Sequence, residues 1–184
     1  KGRLRDAVSG GKISWSGIFG LLRHHIFWVF LLGAGLGQAC HAFYYGFSSR
    51  LWQDFGYSGW LIGVLWTIGV VSEILLFLYL GDWLRRFNPV LLIVAGAFAA
   101  FVRWVMMGIE PDLWLVIVLQ ILHAFSFGLA HLGAMYFIGL AVPDRLSATA
   151  QGVYATMSMG VFMGIAVLIS GPLYDAVGSS GYFV

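Results

Sequence analysis

Residues 59–80 read GWLIGVLWTIGVVSEILLFLYL, an apolar run broken by one charge, Glu73. A helix rising 1.5 Å per residue needs about 20 such residues to cross the ~30 Å hydrocarbon core of a bilayer, so the run predicts a transmembrane helix. Working outward, four more runs of that kind follow the same rule, at residues 25–47, 89–109, 113–141 and 146–177, and a further span is expected to open at Gly181. Backbone groups in lipid must be satisfied internally, and no run alternates with period two, so an all-α bundle is expected over a barrel. Composition agrees: 60% of the residues are hydrophobic and 10% charged, with a mean hydropathy of +0.89. Soluble domains are far more polar.

Residues 1–24, KGRLRDAVSGGKISWSGIFGLLRH, are basic and only weakly apolar. They predict a linker leading to a transmembrane bundle over residues 25–184. No apolar core followed by a small-residue cleavage site marks them as a signal peptide. Lys1 is not an initiator and Val184 closes a segment that has barely begun, so both ends read as cuts in a longer chain. The missing N-terminal half of that chain is an expected partner. The basic residues of the loops set the orientation. Lys1, Arg3, Arg5, Lys12 and Arg23, then Arg85 and Arg86, then Arg145 fall on one side, whereas the other side sets Arg50 against Asp54, Glu110, Asp112 and Asp175. That asymmetry places residues 1–24 in the cytoplasm. Trp28, Trp60, Trp83, Trp114, Tyr57 and Tyr182 lie near segment ends and read as interfacial anchors.

Charged and titratable groups inside the runs carry the functional argument. An ionised side chain at the bilayer centre costs at least ~2.5–3.5 kcal/mol on insertion scales, so such groups face a bundle interior or a wet cavity and mark functional sites. Glu73, Arg103, His123 and His131 all lie within runs. Counting depth at 1.5 Å per residue from each segment centre pairs Glu73 with His131 and Arg103 with His123. His123, Phe127 and His131, spaced i, i+4, i+8, share one stripe of one helix. Two readings compete at each position. Glu73 is a proton carrier, poised because burial and a neighbouring base act on a carboxyl in opposite senses, or a structural carboxyl. Arg103 anchors an anionic substrate through its planar fork, or serves as the counter-ion to Glu73. Each histidine belongs to a relay or is an interhelical hydrogen-bonding group. Gln38, His41 and Tyr45, at i, i+3, i+7, line a cavity or bind helices together.

The Gly33-x-x-x-Gly37 and Gly160-x-x-x-Gly164 pairs read as sites of close helix packing. Cys40 is the single cysteine, which excludes an intrachain disulfide and leaves no cysteine cluster for a metal. H-E-x-x-H, Walker A and G-x-S-x-G patterns are missing, and Gly35-Leu36-Gly37 lacks the strand-turn-helix context of a dinucleotide loop. No catalytic residue, metal or cofactor is therefore expected, and nothing suggests a nucleic-acid footprint.

The loop Leu80-Gly81-Asp82-Trp83-Leu84-Arg85-Arg86-Phe87 resembles the cytoplasmic signature between helices eight and nine of the major facilitator superfamily. Gly171-Pro172-Leu173-Tyr174-Asp175 is similar to the end of helix eleven in its lactose permease-like branch. Gln120-Ile121-Leu122-His123-Ala124-Phe125, continuing through His131-Leu132-Gly133-Ala134-Met135, resembles helix ten of bacterial 3-phenylpropionate transporters. His41 to Phe47, Gly69 to Glu73 and Val102-Arg103-Trp104 resemble segments of the same branch. The resemblance implies the C-terminal half of a major facilitator-type bundle, helices seven to eleven with the start of twelve, in the bacterial inner membrane. It implies secondary active transport without enzymatic activity, by proton-coupled symport of a small organic solute, with an aromatic carboxylate such as 3-phenylpropionate as the leading candidate. Glu73 and His131 would then couple protons, and Arg103, His123, Gln38, His41, Tyr45 and Ser126 would meet substrate. Ser126 stands where lactose permease has an essential acid, so the proton site is expected to be rearranged. The competing expectations are a proton-coupled sugar or nucleoside symporter and a non-transporting membrane receptor or scaffold. A membrane enzyme would require a catalytic domain beyond this sequence.

Overall fold

The computed structural model describes residues 15–183, with side chains from Phe19 onward; residues 1–14 of the expected linker lie outside the described residues. The helices are α1 (Trp15–Arg23), α2 (His25–Ala39), α3 (Ala42–Asp54), α4 (Gly59–Leu84), α5 (Pro89–Gly108), α6 (Leu113–His123), α7 (Ala130–Ala141), α8 (Asp144–Ala155) and α9 (Met163–Val177). A π-helical turn, Ala124–Leu129, joins α6 to α7, and a second, Thr156–Phe162, joins α8 to α9. A short 3-10 helix, Gly178–Phe183, follows and includes Gly181, where a further span was expected to open. There is no strand among the described residues. Among the described residues, five continuous helical stretches are long and apolar enough to cross a bilayer: His25–Asp54, Gly59–Leu84, Pro89–Gly108, Leu113–Ala141 and Asp144–Phe183.

Helix starts follow local capping chemistry, in which a side-chain oxygen accepts from an amide that the first turn leaves without a partner. Ser58 accepts from the Leu61 amide, Asn88 from Val90 with Pro89 entering the first turn, and Asp112 from Leu115. Within the first span the chain turns at Cys40 and His41 before resuming as α3. Glycine governs the contact between α5 and α7. A Cβ on Gly96 would fall 2.7 Å from the Ala130 amide nitrogen, and one on Gly133 would fall 2.8 Å from the Pro89 carbonyl oxygen, so α5 and α7 meet backbone to backbone. The glycines read as packing sites behave differently. Gly33, Gly37 and Gly164 have no heavy atom within 4 Å of such a Cβ, and Gly160 has only Thr156 of its own turn. Their spacing defines a face, but that face meets no neighbour among the described residues.

One core cluster joins Phe27, Phe30, Leu31, Ala134, Ile138 and Tyr154. A second joins Tyr44, Trp52, Leu65, Met107, Leu119 and Tyr182. Trp60, Trp83 and Trp114 are exposed, as interfacial anchors require, but Tyr182 is buried. Its ring stacks on Trp104 and its hydroxyl meets Ser48 at 2.5 Å. Position near a segment end does not reveal that the chain folds back there.

Candidate proton and substrate site

Arg103 on α5 is fully buried. Its Nε donates to the Leu119 carbonyl at 2.8 Å, its Nη2 to Gln120 Oε1 at 3.0 Å, and its Nη1 lies 3.0 Å from His123 Nδ1. The guanidinium also lies 4.1 Å from the centroid of the Tyr44 ring, and Tyr44 exchanges hydrogen bonds with Gln120. A buried cation demands this many partners, because an unsatisfied one would carry its whole desolvation cost. The arrangement fixes one atom's role. Arginine only donates, so His123 Nδ1 must accept, and a neutral His123 then carries its proton on Nε2.

That Nε2 points to α4, where Glu73 Oε2 stands 3.8 Å away. Gly69 explains the meeting. It lies one turn before Glu73 on the same face, and a Cβ there would be 3.6 Å from His123 Cδ2, so α4 crosses α6 with its glycine against the imidazole. Arg103, His123 and Glu73 thus form a chain from the bundle interior outward. The side chains of His123 and Glu73 are 6% and 19% exposed, which leaves the carboxylate as the member that reaches open space. Depth counting paired Arg103 with His123, and the two are in contact. It set Glu73 beside His131, whereas the carboxylate meets His123. His131 lies farther along, its ring 6.3 Å from Phe77 and stacked on Phe127 at 5.9 Å. Phe127 in turn stacks on His123 at 5.4 Å, so the stripe at i, i+4, i+8 is a continuous pile of rings through the π-helical turn.

The remaining candidates divide by burial. His41 and Ser126 are buried and face each other at 3.4 Å, with the Ser126 hydroxyl donating to the His123 carbonyl. His41 packs edge-on to Trp104, His123 and Phe127, so it supports the site from behind. Tyr45 is exposed beside Trp66. Gln38 is buried away from the chain of charges, on a cavity shared with His131. Sequence reasoning missed Gln120 and Tyr44, which complete the enclosure of Arg103. Gln120 precedes His123 by three residues in an apolar helix, and that spacing was the available signal.

Five apolar helices around a buried charge chain define a polytopic helical membrane protein. The chain belongs to the MFS_1 like family, which matches residues 5–184. It is 36% identical over its whole length to a protein of Escherichia coli (strain K12) named a probable 3-phenylpropionic acid transporter, covering 47% of that protein. It is 28% identical to the maltose permease of Geobacillus stearothermophilus over 49% of this chain and 23% of the permease. An uncharacterised transporter of Bacillus subtilis (strain 168) is 25% identical over 63% of the chain and 29% of that protein. The chain therefore spans about half, or less, of the length of these relatives. No solved structure matches it significantly.

Proposed function

We propose that the chain is the C-terminal half of a proton-coupled symporter in the bacterial inner membrane, with residues 1–24 cytoplasmic, and that its cargo is a small aromatic carboxylate. The observation that carries this reading is the Arg103–His123–Glu73 chain, with its fixed cation inside and its carboxylate outside. With Glu73 ionised, the cluster is neutral overall and offers an organic anion no net attraction. With Glu73 protonated, the buried Arg103 charge is uncompensated and an anion beside His123 Nε2–H restores neutrality. Cargo anion and proton then enter together, and releasing the proton from Glu73 expels the anion.

In this reading Arg103 acts through its field and through His123, because its enclosure keeps it from touching cargo. His123 is a fixed donor, since Arg103 occupies the nitrogen that a second proton would need. Glu73 is the exchanging group. His131 lies too far along the helix to share its proton directly and is assigned to the path between Glu73 and the cytoplasm. Tyr45, Trp66 and Phe127 give the cargo ring an aromatic wall. The relative named for 3-phenylpropionic acid supports this cargo class. The cavity itself would be completed by the other half of the chain, as in transporters built from paired repeats.

Uptake of 3-phenylpropionate by the full-length protein in proteoliposomes, with and without an imposed pH gradient, tests the reading. Glu73→Gln is expected to abolish acceleration by the gradient while counterflow exchange of cargo persists. Gradient-driven uptake that survives Glu73→Gln would refute the proton role.

A further inference from the structure

Behind His131 lies a recess of about 340 Å³ framed by α2, the first π-helical turn with α7, and α8 with the second π-helical turn. Two of its polar groups have no hydrogen-bond partner. The Gln38 side-chain nitrogen and oxygen and the Tyr154 hydroxyl are all buried, and none meets a partner in good hydrogen-bond geometry, although Tyr154 lies beside both Gln38 and Ser158. Buried polar groups without partners are exceptional, and each calls for an explanation. The other walls are Phe127, Met135, Gln151, Ala155, Ser158 and Met159, and neither a carboxylate nor a basic side chain other than His131 lines the recess. π-helical turns concentrate at functional sites, and here two of them face one recess.

We propose that this recess is a binding site for a neutral hydroxyl carried on an aromatic ring. The proposal rests on the carboxylate reading above for what carries that ring, and makes the preferred cargo a hydroxylated aryl acid. The chemistry follows from the inventory of groups. A hydroxyl both donates and accepts, and Gln38 with Tyr154 can answer both roles. A carboxylate or phosphate would be buried without a cation. A single water, at about 30 Å³ of liquid volume, would leave most of the space empty, whereas aromatic and thioether walls with a few convergent polar groups are the usual lining of a small-molecule site. The stack of His123, Phe127 and His131 runs from the Glu73 cluster to this recess, so one elongated molecule is held at both ends.

The test uses the full-length protein in nanodiscs with Ala155→Cys, a residue on the recess wall, and reads maleimide alkylation at that position by peptide mass spectrometry. The probes are 4-methylphenol and toluene, matched for concentration in the bilayer. 4-Methylphenol is expected to protect the thiol at least about tenfold more strongly than toluene. Tyr154→Phe and Gln38→Leu, introduced singly, are expected to erase the difference. Neither change removes a hydrogen bond of good geometry, so both variants should fold. Equal protection by the two probes, or a difference that persists in both variants, overturns the proposal and leaves the recess a hydrated or empty space. A second arm compares 3-(4-hydroxyphenyl)propionate with 3-phenylpropionate. Stronger protection by the hydroxylated acid, lost in the same variants, supports the cargo assignment. Discrimination between the neutral probes with no protection by either acid keeps the hydroxyl site and refutes the carboxylate reading alone.

Discussion

Replacing Arg103 by methionine, which approximates its length without its charge, tests whether the guanidinium organises the site. Three bonds from a charged donor, at roughly 1.5–3 kcal/mol each, set the upper bound on the loss. The net is smaller, because two acceptors keep other partners. The Leu119 carbonyl lies inside α6, and Gln120 retains its exchange with the Tyr44 hydroxyl. His123 Nδ1 is left alone, at about 1–3 kcal/mol for a stranded buried group, and the lost stacking on Tyr44 adds about 1 kcal/mol. Removing a buried cation recovers part of the desolvation cost. The expected net destabilisation is about 2–4 kcal/mol, with Arg103→Lys intermediate because a point charge cannot serve three acceptors in a planar fork. Reversible unfolding of the full-length protein in mixed micelles measures it. Nitrogen-15 spectra of His123 give the independent check: the proton should sit on Nε2 in the parent protein and exchange between the two nitrogens in Arg103→Met. Stability within about 0.5 kcal/mol of the parent, or a parent His123 protonated on Nδ1, would refute the reasoning.

Glycine and tyrosine substitutions test the packing. Gly96→Val and Gly133→Val should each destabilise by about 1–3 kcal/mol or separate α5 from α7, because backbone atoms cannot yield to the added carbons. Gly33→Ala and Gly37→Ala should change unfolding by less than about 0.5 kcal/mol, since nothing stands within 4 Å. Tyr182→Phe strands the buried Ser48 hydroxyl and should cost about 1–3 kcal/mol in the same unfolding assay, with Ser48→Ala/Tyr182→Phe recovering part of it.

What the sequence made legible was the one-dimensional part of the problem. Five crossings follow from hydropathy and length, and the charged residues inside them stand out by their cost in lipid. Arg103 with His123 followed from depth counting, because α5 and α6 are adjacent in the chain and their offset is set by a short loop. Glu73 escaped the same method by about one turn. The level assigned to it opposite His131 belongs to Phe77, because the register of α4 is fixed by Gly69 resting on the His123 ring, and a glycine gives no hydropathy signal for such a contact. The π-helical turns were equally hidden, since a shifted backbone hydrogen bond leaves no mark in composition.

Burial decides roles that residue type leaves open. An arginine in a transport family invites the role of anion clamp, whereas the enclosure of Arg103 among the described residues supports the proposal that it acts through its field and through the imidazole it orients. In the proposed mechanism the exchangeable proton falls to the residue with access to open space. Among the members of this charge chain that residue is Glu73, the one whose position sequence counting misjudged. One list of candidate residues is therefore compatible with more than one mechanism, and the difference lies in a helix offset of a few ångströms that glycine packing sets.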